Sequence, residues 1–268
     1  MLTACSRKCV TPLRLDRYLV EAGHIQSRHR AHIEIKHGRV RVNDHIVTKP
    51  AYSVKPNDTV TLDTLYNPYV SKGGLKLAHA LKTFGITVDG TTILDVGAST
   101  GGFSDCALTH GATHVIAVDV GHNQLHPRLH HDDRITSYEK TNFLDLNPTL
   151  IAQADVLIID VSFTSAVPLI IHAYDYFSGP TVWLLKPQFE HGAPPKNGVI
   201  KHPKDHQLAI NKAFAALRPH RIQPQAITPS PLLGGSGNRE FLVWLARGDC
   251  AVDIDVRNAV AQAHTIKG

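Results

Sequence analysis

The sequence predicts an α/β protein in two parts: a small α+β domain, then a mostly parallel sheet that finishes in an antiparallel hairpin. Three observations predict this. Residues 1–62 hold 11 Lys/Arg against 5 Asp/Glu while residues 63–268 hold 17 against 18, so the excess positive charge sits in the first quarter of the chain. From residue 92 onward, runs rich in Val, Ile and Leu alternate with helical patterns, as strands covered on both faces require. Near the end, IQPQAITPS (222–230) and REFLVWLAR (239–247) flank the turn Gly234-Gly235-Ser236-Gly237 and read as a hairpin. At 43% hydrophobic and 19% charged, 268 residues suffice for one large core or two modest ones.

Residues 1–12 read as a loose tail. Leu15, Tyr18, Leu19 and Ala22 then recur at helical spacing and stop at Gly23. Ser27 caps a second helix with Ala31 and Ile35 inward and Arg28, Arg30 and Lys36 outward, ending at Gly38. Val40 and Val42, the turn pair Asn43-Asp44, and Ile46 and Val47 make a short hairpin. A further strand with Val60 and Leu62 follows the Pro56-Asn57-Asp58 turn. Residues 13–62 thus form a basic platform carrying Arg14, Arg17, Arg28, Arg30, Lys36, Arg39 and Arg41 as candidate RNA-binding residues. The same charges also fit a solvated face or a protein-docking domain.

The strings RLDRYLVEAG, SRHRAHIEIKHGRVRVN and VKPNDTVTL resemble the αL RNA-binding module of a small-subunit ribosomal protein, pseudouridine synthases and some aminoacyl-tRNA synthetases. The resemblance covers about fifty residues. It implies that the helix with Arg28, Arg30 and Lys36 lies on phosphates, which give affinity and salt dependence but little sequence choice.

Residues 63–70, with Asn67-Pro68 and no periodicity, read as a linker to a domain spanning 71–248. Its strands fall at 92–96, 114–120, 155–161 and 181–186. A parallel sheet finishing in an antiparallel hairpin is the Rossmann-like methyltransferase arrangement. Residues 249–268 read as a tail or short helix.

Asp95-Val-Gly97-Ala98-Ser99-Thr100-Gly101-Gly102-Phe103 follows a predicted strand and opens a helix. Glycines there let the backbone approach a ligand, and the helix start offers free N–H groups. The spacing departs from the GxGxxG of dinucleotide sites, and Asp95 precedes the first glycine. That fits S-adenosylmethionine, whose amino-acid end carries an ammonium rather than a pyrophosphate. Asp119, with Val120 after it, ends the next strand, where a carboxylate can accept both ribose hydroxyls. Asn142 and Phe143 are candidates to bond and stack on the adenine. Phe143 fits core packing equally well, and Asp145 is a competing adenine contact.

Moving a methyl to a ribose 2′-hydroxyl demands alignment and a destination for the hydroxyl proton. Four ionisable residues fall at element ends on the expected cofactor edge: Lys76 in SKGGLKL, Asp160 closing LIID, Lys186 closing WLLK, and Glu240 opening the last strand. With DVGASTGGFSDC, AVDVGHNQL, IIDVSF, LLKPQFE and SPLLGGSGNREF, residues 71–247 resemble the FtsJ-type ribose methyltransferases. Within these the chain resembles the TlyA family of ribosomal-RNA methyltransferases, once called hemolysins. The resemblance implies 2′-O-methylation of ribosomal RNA, with cytidine as the expected nucleoside, and a Lys-Asp-Lys-Glu tetrad falling on Lys76, Asp160, Lys186 and Glu240. Asp160 then also borders the cofactor. Lys186 is the candidate base, or the group that holds the 2′-hydroxyl, and Glu240 the candidate to orient Lys76. Two departures stand out: Lys72 where an Arg is commoner, and NFLD around Asn142.

Other function classes find little support. Cys5, Cys9, Cys106 and Cys250 contain no CxxC pair, and the 18 histidines show no ligand spacing, so no metal is expected. Ser99, Ser104 and Ser162 lack a GxSxG elbow. No stretch approaches the ~20 apolar residues of a membrane span, and no signal-peptide pattern opens the chain. The expectation is a cytoplasmic monomer whose partner is ribosomal RNA or a ribosomal subunit. The competing readings are a membrane-active hemolysin and an RNA-binding protein with an inactive methyltransferase domain.

Overall fold

Asn43 and Asp44 adopt φ of +50° and +65°, and this turn pairs two short strands within a small three-stranded sheet. The computed structural model describes residues 12–25, 27–36, 38–62, 67–192, 198–249 and 252–266. Outside these lie the expected tail apart from Pro12, residues 63–66 of the expected linker, residues 193–197, and Cys5, Cys9 and Cys250. The chain divides into two units, Met1–Pro68 and Tyr69–Gly268.

In the first unit, β1 (Leu13–Arg14) leads into α1 (Leu15–Glu21) and α2 (Arg28–Lys36), followed by β2 (Val40–Val42), β3 (His45–Ile46), β4 (Ser53–Val54) and β5 (Val60–Leu62). β1 pairs with β4, and β2 is central between β3 and β5. The Ser27 hydroxyl accepts the Arg30 N–H, capping α2 as its type and position suggest. Leu15, Leu19, Ile25, Ala31, Ile35, Val40, Val42 and Val54 fill the core. Asp16 and Glu34 lie in the same interior, fully buried.

In the second unit, α3 (Lys72–Phe84) precedes β6 (Thr92–Val96), α4 (Gly102–Thr109), β7 (His114–Val118), α5 (Pro127–His130) and β8 (Ile135–Tyr138). Then come α6 (Pro148–Ala152), β9 (Val156–Ile159), α7 (Val167–Tyr174), β10 (Thr181–Leu185), α8 (Pro187–Glu190) and α9 (Pro203–Leu217). β11 (Ile222–Pro229), β12 (Phe241–Arg247) and α10 (Val256–Ala263) complete it. The seven strands run in the order β11-β12-β10-β9-β6-β7-β8. The five from β10 to β8 are parallel, whereas β12 is antiparallel to β10 and β11 to β12. Pro224 and Pro229 are tolerated because β11 is an edge strand, and the ladder slips at a bulge between Pro224 and Ala226.

Successive strand residues face opposite sides, so each continuous apolar run feeds two cores. Ile93, Val115, Ile158 and Val182 pack beneath α3 and α4. Leu94, Ile116, Leu157 and Trp183 pack beneath α7, α9 and α10. One expected boundary needs correction. The linker does not extend to residue 70, because Tyr69 is buried in the second unit and the Val70 N–H donates to Asp105 Oδ2 at 2.8 Å. Residues 249–268, expected as a tail or short helix, contain the short helix α10. Val256, Ala259, Val260 and Ala263 recur at helical spacing and join the core of the second unit.

Candidate active site

β6, β9 and β10 end side by side, and their carboxyl ends deliver the chemistry-bearing side chains to one edge of the sheet. After β6 the chain turns at Gly97, with φ of +85°. A Cβ there would meet the Asp160 carbonyl oxygen at 2.5 Å, so two strand ends approach as closely as only glycine permits. Ser99 is also left-handed, with φ of +47°, and its N–H donates to Asp119 Oδ2 at 2.8 Å. The Gly121 N–H donates to Asp119 Oδ1 at 2.7 Å. Asp119 is thus fixed by two backbone donors, each using one lone pair of a carboxylate that offers about four.

Two adjoining cavities share Gly97, Ser99 and Asp160 in their walls. The larger, about 550 Å³, is lined by Asp119, Val120, Asn142, Phe143, Leu144, Ser162 and Phe163 among others. The smaller is bounded by Ser71, Lys76, Ala98, Thr100, Gly102 and Phe103. Most of the sequence-predicted cofactor residues therefore line one continuous recess, and Asp95 and Gly101 do not. Asp95 is corrected to an interior position: fully buried, its Oδ2 accepting the Ser104 hydroxyl at 2.5 Å and its Oδ1 unpartnered. Burial, opposed by Ser104 and reinforced by the charges of Asp160 and Asp119, pushes its carboxyl up to about 7. Gly101 faces Leu125 and Leu129 and lets α4 begin against them. Phe143 is buried and edge-on to His172 at 5.8 Å, a core residue that shows the cavity only part of its ring. The Asn142 Oδ1 accepts the Leu144 N–H, leaving its amide N–H groups for other acceptors. Asp145 lines neither cavity.

The four tetrad positions come together as two ion pairs. Lys76 Nζ lies 2.5 Å from Glu240 Oε2, with both side chains almost wholly buried. Lys186 Nζ lies 2.6 Å from Asp160 Oδ1 and donates to Ser162 Oγ at 2.7 Å. Lys76 and Asp160 share the wall of the smaller cavity, which connects the two pairs. Glu240 sits under the glycine-rich turn, where a Cβ on Gly234 would meet its Oε1 at 2.5 Å.

The sequence reading assigned no role to Ser162, Phe163 or Glu190. Phe163 is 93% exposed in the cavity wall, holds φ of +67°, and lies 5.7 Å from the Phe189 ring. Glu190 braces this segment, its carboxylate accepting the Ser165 hydroxyl and the Ala166 N–H. The available signals were the nearness of VSF to Asp160 in IIDVSF and of Glu190 to Lys186 in LLKPQFE.

In the first unit, six of the seven sequence-predicted RNA-binding residues contact acceptors of their own unit. Arg14 and Arg28 converge on Asp16, and Arg30 and Arg39 on Glu34. Arg17 pairs with exposed Glu21, and Arg41 donates to the Asp44 carbonyl. Lys36 is exposed and pairs with none of the described residues. Arg28 and Arg30 do not share one outward face, because each is drawn to a different buried carboxylate.

The sequence matches the FtsJ-like methyltransferase family over residues 69–247 and the S4 domain over residues 13–60. It is 38% identical to Hemolysin A of Brachyspira hyodysenteriae, covering 86% of this chain and 98% of that one. It is 37% identical to the 16S/23S rRNA (cytidine-2′-O)-methyltransferase TlyA of Mycobacterium tuberculosis (strain ATCC 25618 / H37Rv), covering 87% of this chain and 89% of the relative. A solved structure of a proposed hemolysin from Streptococcus thermophilus superposes with a TM-score of 0.70 at 33% identity, covering 96% of this chain and 97% of that one.

Proposed function

The chain belongs to the FtsJ-like methyltransferase family, with an S4 domain ahead of the catalytic unit, and on that premise we propose that it methylates a ribose 2′-hydroxyl of ribosomal RNA, at cytidine, using S-adenosylmethionine. The observation that carries this reading is the recess at the strand ends, where Lys186 and Lys76 each meet a carboxylate beside a nucleoside-sized cavity.

The recess fits the cofactor by the chemistry of its walls. Asp119 keeps lone pairs for a ribose diol, Val120 and Leu144 are exposed for an aromatic base, and the smaller cavity offers Ser, Thr and Asp side chains to an amino-acid end. S-adenosylmethionine supplies an electrophilic methyl on a sulfonium when bound. Lys186 holds the target hydroxyl and takes up or shares its proton, while Asp160 and Ser162 set the direction of its amine. Lys76, fixed by Glu240, borders the same recess and contributes positive charge where negative charge develops on oxygen. Phe163 offers an exposed face on which the target base can stack. The arginines of the first unit contact RNA phosphates.

Hemolysin A is the name of a relative, and among the described residues no helix is long and apolar enough to cross a membrane. The test is transfer of radiolabelled methyl to ribosomal RNA or isolated subunits, followed by mapping of the modified nucleotide. Label in a 2′-O-methylcytidine is the expected result, and label on a base atom or on protein overturns the reading.

A further inference from the structure

Asp16 and Glu34 sit where attraction to RNA alone gives no reason for a negative charge. Each is fully buried inside a unit whose surface is basic. Taking a carboxylate out of water costs several kcal/mol unless partners compensate, and a neutral side chain would avoid that cost. Here the side-chain partners all come from partly exposed residues, and four of them are arginines. Arg14 reaches Asp16 with two N–H groups, each at 3.1 Å, Arg28 with one at 2.9 Å, and His32 Nε2 lies at 2.8 Å. The Arg17 backbone N–H completes the set at 3.0 Å. Arg30 Nε lies 2.9 Å from Glu34 Oε1 and Arg39 Nη1 lies 2.7 Å from Oε2. Burial alone would raise the Asp16 carboxyl, but the hydrogen bonds from Arg14, Arg28 and His32 outweigh it and hold it well below the usual carboxylate range.

We propose that Asp16 and Glu34 are positioning residues: two buried carboxylates that hold four surface arginines as two preformed forks for RNA phosphates. The proposal rests on the reading that the first unit binds RNA. The four arginine side chains are between 33% and 60% exposed, so each meets a carboxylate on one side and water on the other. A guanidinium has five N–H groups; Arg14 commits two, Arg28 and Arg39 one each, and Arg30 is held at ion-pair distance without an aligned hydrogen bond, leaving the others for a phosphate. Two arginines against one carboxylate leave each cluster with a net positive charge. Ordering a free arginine on binding costs conformational entropy, and a side chain already held has met that cost during folding. Along α2, Arg28 and His32 lie one turn apart on one flank and Arg30 and Glu34 one turn apart on the other. The two forks therefore serve different phosphates.

The sign of the effect separates this from simple attraction. Asp16→Asn and Glu34→Gln each make the chain more positive by one charge, so attraction alone predicts tighter binding. Fluorescence anisotropy of the full chain against a labelled RNA duplex, over a salt series, is the measurement. Each substitution is expected to weaken binding on the order of tenfold at fixed salt, despite the added charge. Glu21→Gln, which frees exposed Arg17, is expected to leave binding equal or tighter. Glu34→Asp retracts the carboxylate by one methylene with no change in charge and is also expected to weaken binding, with thermal melts run on every variant. Arg28→Ala should cost less in the Asp16→Asn background than in the parent, and additive losses would overturn the fork. If Glu34→Gln and Glu34→Asp melt like the parent and bind as tightly or tighter, the inference fails. A parent chain that leaves the duplex unbound overturns the RNA reading, and this inference with it.

Discussion

Lys186→Met removes an amine and keeps a chain of similar length, and its consequences follow from where that amine sits. Nζ donates to Ser162 Oγ at 2.7 Å and lies 2.6 Å from Asp160 Oδ1 as an ion pair without an aligned hydrogen bond. A direction on the amine therefore remains for the reacting hydroxyl, as an N–H when the amine is charged and as a lone pair when it is neutral. A positioned proton acceptor contributes about 10²–10⁴-fold, so turnover should fall by roughly 3–5 kcal/mol of barrier. The cost to folding is smaller, about 1 kcal/mol, because Asp160 is 23% exposed and water can replace the lost partner. Cofactor affinity should hardly move, since Lys186 lines neither cavity. Lys186→Arg should fail as well, because a planar guanidinium stays charged and does not reproduce the amine geometry. Ser162→Ala, losing one of two anchors, should fall between parent and Lys186→Met in rate at unchanged cofactor affinity. Single-turnover transfer from radiolabelled cofactor, with calorimetry beside it, measures both quantities. If Lys186→Met keeps more than about a tenth of the parent rate, the amine is not the central catalytic group, and Lys76 becomes the candidate.

Asp119→Ala should weaken cofactor binding by about 1.5–3 kcal/mol through lost charge-assisted hydrogen bonds, and calorimetry showing unchanged affinity would remove Asp119 from the site. Asp95 titrates near 7 in the fold against an ordinary 3.8, so its contribution to stability is full below about pH 4 and is lost as pH rises through 7. Asp95→Asn should therefore gain on the parent between pH 5 and 8 by roughly 2–3 kcal/mol in denaturant melts, and a constant gap would refute the burial argument. Glu240→Ala strands Lys76, only 11% exposed, and should cost about 3 kcal/mol of stability together with activity. Glu240→Gln should recover part of the stability but little of the rate, and equal melting of Glu240→Ala and parent would show the pair to be unimportant to the fold.

The elements were legible wherever a local period carries the information. The runs at 92–96 and 181–185 are mostly apolar because both their faces are covered, and the start of α2 follows from its capping Ser27. The glycine loop was legible because close backbone approach excludes side chains; at Gly97 the group that approaches is the Asp160 carbonyl of a neighbouring strand end. Asp95 was read as a ligand-facing carboxylate because its position before the glycine suited an ammonium. Residues 93 and 95 share the strand face that packs beneath α3 and α4, which turns Asp95 toward Ser104 and away from the cavity. Strand parity was available in the sequence, but the helix that would cover that face was not. Phe163 was out of reach for a different reason. A left-handed phenylalanine is rare, and nothing local to VSF announces one.

Charge was read in the right place and in the wrong arrangement. Counting Lys and Arg locates the basic unit, yet it treats Asp16 and Glu34 as deductions from the total, when the structure makes them the points on which four arginines converge. The same logic holds at the catalytic edge, where Asp160 and Glu240 each fix a lysine. In both places a long flexible cation gains a defined position from a carboxylate that is largely or wholly buried. The useful quantity is therefore the geometry of each acid–base pair, not the net charge. Net charge sets how strongly a polyanion is drawn in. The buried carboxylates decide which few of the many cationic groups are already aimed when it arrives, and only those can lower the barrier or fix the register of the RNA.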